Sequence, residues 1–139
     1  MIVGFGSDLV DIRRIQRSMD RFGARFIDRV FAPSEQRRCD PRGDRVAAYA
    51  RRFAAKEACA KALGSGIFDG VFWRDMVIDN DDEGRPTLRL SGGAAERLVK
   101  LTPPGRHSVV HVTLTDEPPY AQAMVLIEAR TGGSDKAEA

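Results

Sequence analysis

The chain has 139 residues, of which 42% are apolar and 30% charged, and these values indicate one ordinary globular domain with a sizeable core. Its two cysteines, Cys39 and Cys59, exclude a CxxC metal knuckle and a disulfide scaffold and are predicted to be buried free thiols. No stretch approaches the roughly 18 apolar residues of a membrane span, and residues 1–10 hold no basic leader, so we expect a cytoplasmic protein.

The net charge of +2 hides an uneven distribution. Residues 1–52 carry twelve arginines and seven acids, a net charge of +5, whereas the rest of the chain carries ten basic and thirteen acidic residues. An arginine-rich first third predicts an anionic partner, which could be a nucleic acid, a phosphorylated cofactor or an acidic protein.

The first element is predicted to be a strand over residues 2–6, followed by a turn at Ser7-Asp8. Two glycines within the strand indicate that another part of the molecule approaches its backbone closely. The apolar residues that follow recur every three or four positions as far as Gly23, which predicts an amphipathic helix. Asp8 and Asp11 lie near its start, and either is interpreted as a helix cap, with a metal-ligand role as the alternative.

The opposite face of this first helix is basic. Arg14, Arg17 and Arg21 recur at spacings of three and four, and Arg13 and Arg25 lie beside them. A solvated surface is one interpretation of such a row. The alternative is a partner-binding face, because the planar guanidinium suits bidentate contact with carboxylates or phosphates.

A long helix is predicted from Arg45 to a stop at Gly64, after short helical pieces over residues 24–45. Residues at spacing four form two rows along this helix. One row is Phe53, Glu57 and Lys61, and the other is Arg52 and Lys56. On spacing alone, a solvated ion pair between Glu57 and Lys61 is the simpler interpretation.

The last third of the chain is predicted to be mostly strands. The predicted elements are a hairpin of residues 76–78 and 87–90, a helix over 94–101, and strands over 107–114 and 120–128 joined through 115–119. His107 and His111 share a strand face and are interpreted as packing or surface residues rather than metal ligands. We expect one domain over residues 1–129 and a disordered tail over 130–139.

Two carboxylates and a lysine form a candidate phosphoryl-transfer site. If the fold brings Asp8 and Glu57 together, they form a sparse oxygen site of the kind that holds Mg²⁺, with waters and substrate phosphates completing the coordination. Lys61, one turn after Glu57, would neutralise charge on the transferring phosphoryl group. Arg45 and Arg52 are candidates to hold a further phosphate, so the set suits a polyphosphate substrate.

Three blocks of sequence carry a family resemblance. They are Gly4-Phe5-Gly6-Ser7-Asp8-Leu9-Val10-Asp11-Ile12 with Arg14-Ile15, Arg52-Phe53-Ala54-Ala55-Lys56-Glu57-Ala58 through Lys61-Ala62-Leu63-Gly64-Ser65-Gly66-Ile67, and His111-Val112-Thr113-Leu114-Thr115 with Tyr120-Ala121. In order and spacing, the chain resembles the holo-acyl-carrier-protein synthase family of small 4′-phosphopantetheinyl transferases over residues 1 to about 129. The resemblance implies an α+β subunit of that fold, with a small antiparallel sheet and a long central helix, which forms homotrimers with interfacial active sites.

The resemblance also implies an activity. It is the transfer of the 4′-phosphopantetheine arm of coenzyme A to a serine of an acyl carrier protein, with release of adenosine 3′,5′-bisphosphate. Mg²⁺ is the implied cofactor. Coenzyme A and the carrier protein are the implied partners, with no nucleic acid and no membrane among them.

Site residues follow from the matching motif positions and, for Arg45 and Arg52, from the phosphate chemistry above. Asp8 and Glu57 match the metal-binding carboxylates and Lys61 matches the lysine at the coenzyme A phosphates, so these three are the expected catalytic residues. The residues expected to contact coenzyme A are Arg45, Arg52, Lys61, Gly64, Ser65 and Gly66, with Pro86, Thr115 and Asp116 supplied by a neighbouring subunit. The residues expected to dock the acidic helix of the carrier protein are Arg14, Arg21, Arg25 and Phe26.

Two residue roles and two rival function classes stay open. Many relatives have a histidine in place of Asp116, and an aspartate would repel a phosphate, so Asp116 contacts either a neighbouring basic residue or the ribose. The base for the serine proton is a water on the metal, Asp8 or Glu57. The rival classes are a nucleic-acid-binding module, which gives no role to Asp8 and Glu57, and a carrier-protein binder without activity.

Overall fold

The computed structural model describes residues 1–64 and 70–132 as five α-helices, one short 3-10 helix over Trp73–Asp75 and five strands. The helices are α1 Ile12–Phe22, α2 Ala24–Val30, α3 Pro33–Cys39, α4 Arg45–Leu63 and α5 Gly92–Leu101. The strands are β1 Ile2–Asp11, β2 Met76–Asn80, β3 Pro86–Leu90, β4 Arg106–Glu117 and β5 Tyr120–Thr131. Within these residues, no helix combines the length and the apolar character needed to cross a bilayer.

A three-stranded antiparallel sheet in the order β1-β5-β4 forms one layer of the molecule, and β2 and β3 form a separate hairpin. Alternate residues of β5, among them Val125 and Ile127, are fully buried because α4 packs across that face of the sheet. The predicted α+β class, with a small antiparallel sheet and a long central helix, is confirmed.

Helix α4 is the central element of the core. It ends at Gly64, whose φ of 75° and ψ of 8° are left-handed, as the predicted helix stop requires. Most of its side chains are buried, including Arg52 at 5% and Lys56 at 0% exposure. A solvated helix face therefore does not describe this basic row, because neighbouring elements cover α4 on several sides.

Strand β1 lies directly against α4 because it carries glycine where the two backbones meet. A Cβ atom on Gly4 would overlap the carbonyl oxygen of Ala62, and one on Gly6 would overlap that of Ala58. The close approach predicted from the two glycines is therefore confirmed, and it brings the next inward-facing residue of β1, Asp8, to the same helix.

Replacement of Gly6 by alanine is expected to lower the free energy of unfolding by about 1–3 kcal/mol or more, because the methyl group forces β1 away from α4. Urea denaturation measures the change. Gly43→Ala is the matched control, since an added Cβ there meets no atom within 4 Å. Equal stability of the two variants would contradict the close packing of β1 against α4.

Three predicted boundaries differ from the structure. Asp8 lies inside β1 rather than in a turn, since pairing with β5 continues through Asp8 opposite Ala123 to Asp11 opposite Tyr120. Asp11, not Asp8, caps α1 by accepting from the Arg13 N–H at 2.9 Å.

The last predicted connection, between β4 and β5, is shorter than expected, because β4 continues to Glu117. Strand β5 runs to Thr131, and residues 133–139 of the predicted tail lie outside the described residues.

Candidate active site

Asp8 and Lys61 join β1 to the last turn of α4. Lys61 Nζ donates to Asp8 Oδ1 at 3.1 Å and to the carbonyl oxygen of Ser7 at 3.0 Å. The Asp8 side chain is 17% exposed and the Lys61 side chain 55% exposed, so the pair lies at the surface with an open side. The ion pair that Lys61 makes is thus with Asp8, 53 positions away, and not the local pair with Glu57 that spacing alone favours.

Glu57 lies half-buried beside this pair. Burial raises the pKa of Glu57, and the negative charge of Asp8 raises it further, whereas the positive charges of Lys61 and Arg14 lower it. The fold therefore brings together the three residues expected to be catalytic, Asp8, Glu57 and Lys61. A carboxylate whose ionisation is opposed by burial and by a second carboxylate is a favourable place for a cation.

The donor set fits Mg²⁺ better than a cation that needs a protein cage. Among residues 1–64 and 70–132, no group of three or more His, Cys, Asp or Glu side chains is arranged to hold a metal. Two carboxylates at an open surface match the way Mg²⁺ is usually held, with water and substrate phosphates as the remaining ligands. Asp8 and Glu57 are the residues that would hold it.

The C-terminal end of α4 lies next to Lys61 and is contacted by an arginine of α5. Arg97 Nε donates to the carbonyl oxygen of Leu63 at 2.8 Å, where the helix dipole is negative. Gly64 follows at this end, whereas Ser65 and Gly66, also expected to contact coenzyme A, lie outside the described residues. Sequence reasoning missed Arg97, because nothing in the spacing of α5 relates it to α4.

The two arginines expected to bind phosphate lie in different surroundings. Arg45 Nε donates to Asp40 Oδ1 at 3.0 Å at the start of α4, about 18 Å along the helix axis from Glu57. Arg45 is therefore not brought to Asp8, Glu57 and Lys61 within one chain. Arg52 is buried, its NH2 lies 3.5 Å from Asn80 Oδ1, and its Nε has no hydrogen-bond partner. Arg52 is 5% exposed, so this donor faces the protein interior rather than the open surface of Asp8 and Lys61.

The residues expected from a neighbouring subunit lie on other elements. Pro86 lines a cavity of about 470 Å³ between β3 and β4, together with His111 and Thr113. Thr115 and Asp116 are near the end of β4, where Asp116 Oδ1 accepts from Arg51 NH1 at 2.8 Å. Of the interpretations left open for Asp116, contact with a basic residue is the one present in the structure. His111 pairs with Glu128 at 2.7 Å on the exposed sheet face.

The residues expected to dock a carrier protein lie on α1 and α2. Arg25 and Phe26 line a groove of about 270 Å³ with Phe22 and Arg29, both of which sequence reasoning missed. Arg21 lies over the Phe22 ring, with its guanidinium carbon 5.1 Å from the ring centre.

An aromatic row connects this groove with the carboxylates. Arg14 lies over the ring of Phe53 at 5.9 Å, and the Phe53 ring contacts those of Phe26 and Trp73 at centroid distances of 6.3 and 4.9 Å. Phe53 is buried one helical turn before Glu57, and the positive charge of Arg14 also acts on Glu57, so the groove lies near the candidate metal site.

A fully buried ion pair begins at Lys56, the residue before Glu57 on α4. The Lys56 ammonium donates to Glu35 Oε1 at 2.8 Å, to the Trp73 carbonyl oxygen at 3.1 Å and to the Met76 carbonyl oxygen at 2.6 Å. Burial lowers the pKa of Lys56, and the charge of Glu35 acts against that shift. Sequence reasoning placed Lys56 in a basic row and assigned Glu35 no role.

Comparisons with known proteins agree on one family. The family model described as the 4′-phosphopantetheinyl transferase superfamily matches residues 4–114. A holo-[acyl-carrier-protein] synthase from Methylobacterium sp. (strain 4-46) is 65% identical over 129 residues, which are 93% of this chain and 96% of that protein.

Solved structures show the same fold. The holo-[acyl-carrier-protein] synthase from Neisseria meningitidis is similar with a TM-score of 0.79 and 36% identity, over 92% of this chain and 99% of that one. The Helicobacter pylori holo-[acyl-carrier-protein] synthase, in complex with coenzyme A, is similar with a TM-score of 0.76 and 29% identity, over 89% of this chain and 99% of that one.

Proposed function

The chain belongs to the 4′-phosphopantetheinyl transferase superfamily, and from this premise we propose its substrates, its site residues and its assembly. It transfers the 4′-phosphopantetheine arm of coenzyme A to a serine of an apo-acyl carrier protein, giving the holo form and adenosine 3′,5′-bisphosphate. The observation that supports the site assignment is the meeting of Asp8, Glu57 and Lys61 at one open surface.

Each residue has a distinct part in the reaction. Asp8 and Glu57 hold Mg²⁺, which neutralises charge on the diphosphate when bound. The Lys61 ammonium exchanges Asp8 for a phosphate oxygen and stabilises charge on the departing bisphosphate. The carrier serine oxygen attacks the phosphorus that bears the pantetheine arm and forms a new phosphorus–oxygen bond, while its proton passes to Asp8, Glu57 or a water molecule. The bond from that phosphorus to the oxygen bridging the two phosphates breaks, and this oxygen leaves with adenosine 3′,5′-bisphosphate.

Mass spectrometry of apo-carrier protein incubated with the enzyme, Mg²⁺ and coenzyme A tests this function. We expect the carrier mass to rise by that of the phosphopantetheine arm, with adenosine 3′,5′-bisphosphate as the second product. An unmodified carrier that nevertheless binds the chain would indicate the inactive binder. Salt-dependent binding to DNA or RNA, with no affinity for coenzyme A, would indicate the nucleic-acid module.

We assign carrier docking to the face formed by Arg14, Arg21, Arg25 and Phe26. Exposed charge contacts are worth roughly 1 kcal/mol or less each, so Arg14→Ala is expected to raise the Michaelis constant for the carrier several-fold while that for coenzyme A changes little. Steady-state kinetics with each substrate varied in turn measures both constants. Arg37→Ala, which removes an exposed arginine from α3, is the control, and an unchanged carrier constant in Arg14→Ala would contradict the assignment.

We further propose that three copies assemble through the face of the sheet that α4 leaves uncovered. Phe5 at 57% and Leu9 at 61% exposure lie on that face of β1, and Met124 of β5, opposite Ser7, is also exposed. A row of large apolar side chains on a sheet face is typical of a surface that a further subunit covers. A measured solution mass of three subunits is expected, and a monomer at assay concentrations would contradict it.

The proposed place of action is the cytoplasm, in fatty acid biosynthesis, since the substrate is an acyl carrier protein. Holo-carrier formation by the cytoplasmic fraction of the source cell, and its loss on removal of this protein, would support that placement.

A further inference from the structure

Arg51 joins the middle of α4 to the end of the β4–β5 hairpin. Its NH1 donates to Asp116 Oδ1 at 2.8 Å, across 65 positions of sequence. The Arg51 side chain is 15% exposed and that of Asp116 is 28% exposed, so a largely desolvated guanidinium lies beside the hairpin end. Removal from water strengthens the interaction of such a cation with an anionic ligand.

The carboxylate of Asp116 already has a cationic partner. A carboxylate repels a phosphate, whereas a guanidinium presents planar N–H donors that match phosphate oxygens. Of the two partners, Arg51 is therefore the one whose chemistry suits an anion at this end of the hairpin.

Arg51 has donor capacity beyond its bond to Asp116. Its second acidic neighbour is Asp44, whose Oδ2 lies 3.4 Å from NH1 and 3.5 Å from NH2, at the limit of hydrogen bonding. Asp44 is bonded more closely to Arg42, at 2.7 and 3.2 Å, and this bond lowers the pKa of Asp44 to about 2. Since an arginine has five N–H donors, the weak contacts with Asp44 leave donors for a ligand.

We propose that Arg51 binds the 3′-phosphate of coenzyme A and that Asp116 is a positioning residue that holds its guanidinium. This inference rests on the proposed function and on the expected contact of Thr115 and Asp116 with coenzyme A held by a neighbouring subunit. The reacting diphosphate is assigned to Lys61 and the two metal carboxylates, so the phosphate left for a separate cation is the 3′-monoester. Arg51 thereby determines specificity for coenzyme A over its 3′-dephospho form.

The test compares kcat/KM for coenzyme A with kcat/KM for 3′-dephospho-coenzyme A, at fixed Mg²⁺ and apo-carrier. The wild type is expected to prefer coenzyme A. Arg51→Ala is expected to lower kcat/KM for coenzyme A by about 10- to 100-fold, the effect of one charge-assisted hydrogen bond, and to leave the dephospho form nearly unchanged. Asp116→Asn, which keeps Arg51 but holds it less firmly, is expected to lose part of the preference.

Arg37→Ala removes the same charge from α3 and is expected to keep the full preference. Calorimetric titration with adenosine 3′,5′-bisphosphate and with adenosine 5′-monophosphate makes the same comparison without turnover. An equal loss of kcat/KM for both coenzymes in Arg51→Ala would mean that the pair with Asp116 is only structural. A retained preference for coenzyme A would mean that Arg51 makes no contact with the 3′-phosphate. Either result overturns the proposal. A wild type that modifies no carrier with either coenzyme would instead contradict the proposed function.

Discussion

Glu57→Gln is expected to slow holo-carrier formation by at least about 100-fold at saturating Mg²⁺, the effect of removing one well-placed charged group from a phosphoryl-transfer site. The amide keeps the shape of the side chain but removes half of the negative charge that Asp8 and Glu57 present to the metal. Initial rates measured by mass spectrometry of the carrier give the ratio of wild-type to Glu57→Gln activity. A Mg²⁺ titration of both proteins shows whether the affinity for the metal falls together with the rate.

The same substitution is not expected to weaken the fold. Burial and the charge of Asp8 raise the pKa of Glu57, so without metal the ionised side chain is unfavourable in the folded state at neutral pH. The neutral amide removes that cost, and the thermal midpoint of Glu57→Gln should equal or exceed that of the wild type. Glu96→Gln, on the exposed side of α5, is the matched control and should change neither the rate of holo-carrier formation nor the thermal midpoint. Wild-type turnover in Glu57→Gln would show that the site lies elsewhere.

Lys56→Met is expected to lower the free energy of unfolding by about 3–5 kcal/mol, the cost of leaving one partner of a buried ion pair without the other. Both side chains are fully buried. Glu35 also accepts from the backbone N–H groups of Ala32 at 2.9 Å and Ile78 at 3.2 Å, so the pair holds α3, α4 and β2 together. Urea denaturation at fixed protein concentration measures the loss.

The double variant Lys56→Met with Glu35→Leu separates the pair from the packing. Replacement of both charges by apolar groups removes the unpaired buried carboxylate, so the double variant should be more stable than Lys56→Met alone. Arg89→Met, which breaks the exposed pair with Asp79, should cost roughly 1 kcal/mol or less. A loss that small in Lys56→Met would mean that the buried pair contributes little to the fold.

Local features of the fold followed from local spacing. Three predicted features depend on residues that are close together in the sequence, and all three are present in the structure. They are the stop of α4 at Gly64, the β2–β3 hairpin and the amphipathic α1. Element ends were less predictable, because pairing with β5 extends β1 through the Ser7-Asp8 pair that in isolation favours a turn.

The candidate site also combines features predictable from local sequence with features that depend on tertiary contacts. By itself, the sequence determined that Glu57 and Lys61 share one helical face, that α1 carries an arginine row, and which family the motif blocks resemble. Only the tertiary structure decided that Lys61 bonds to Asp8, that Lys56 is buried against Glu35, and that Asp116 holds Arg51. The physical reason is that these contacts join residues 21 to 65 positions apart, and such contacts depend on strand pairing and on the glycine-lined approach of β1 to α4, which no local periodicity encodes.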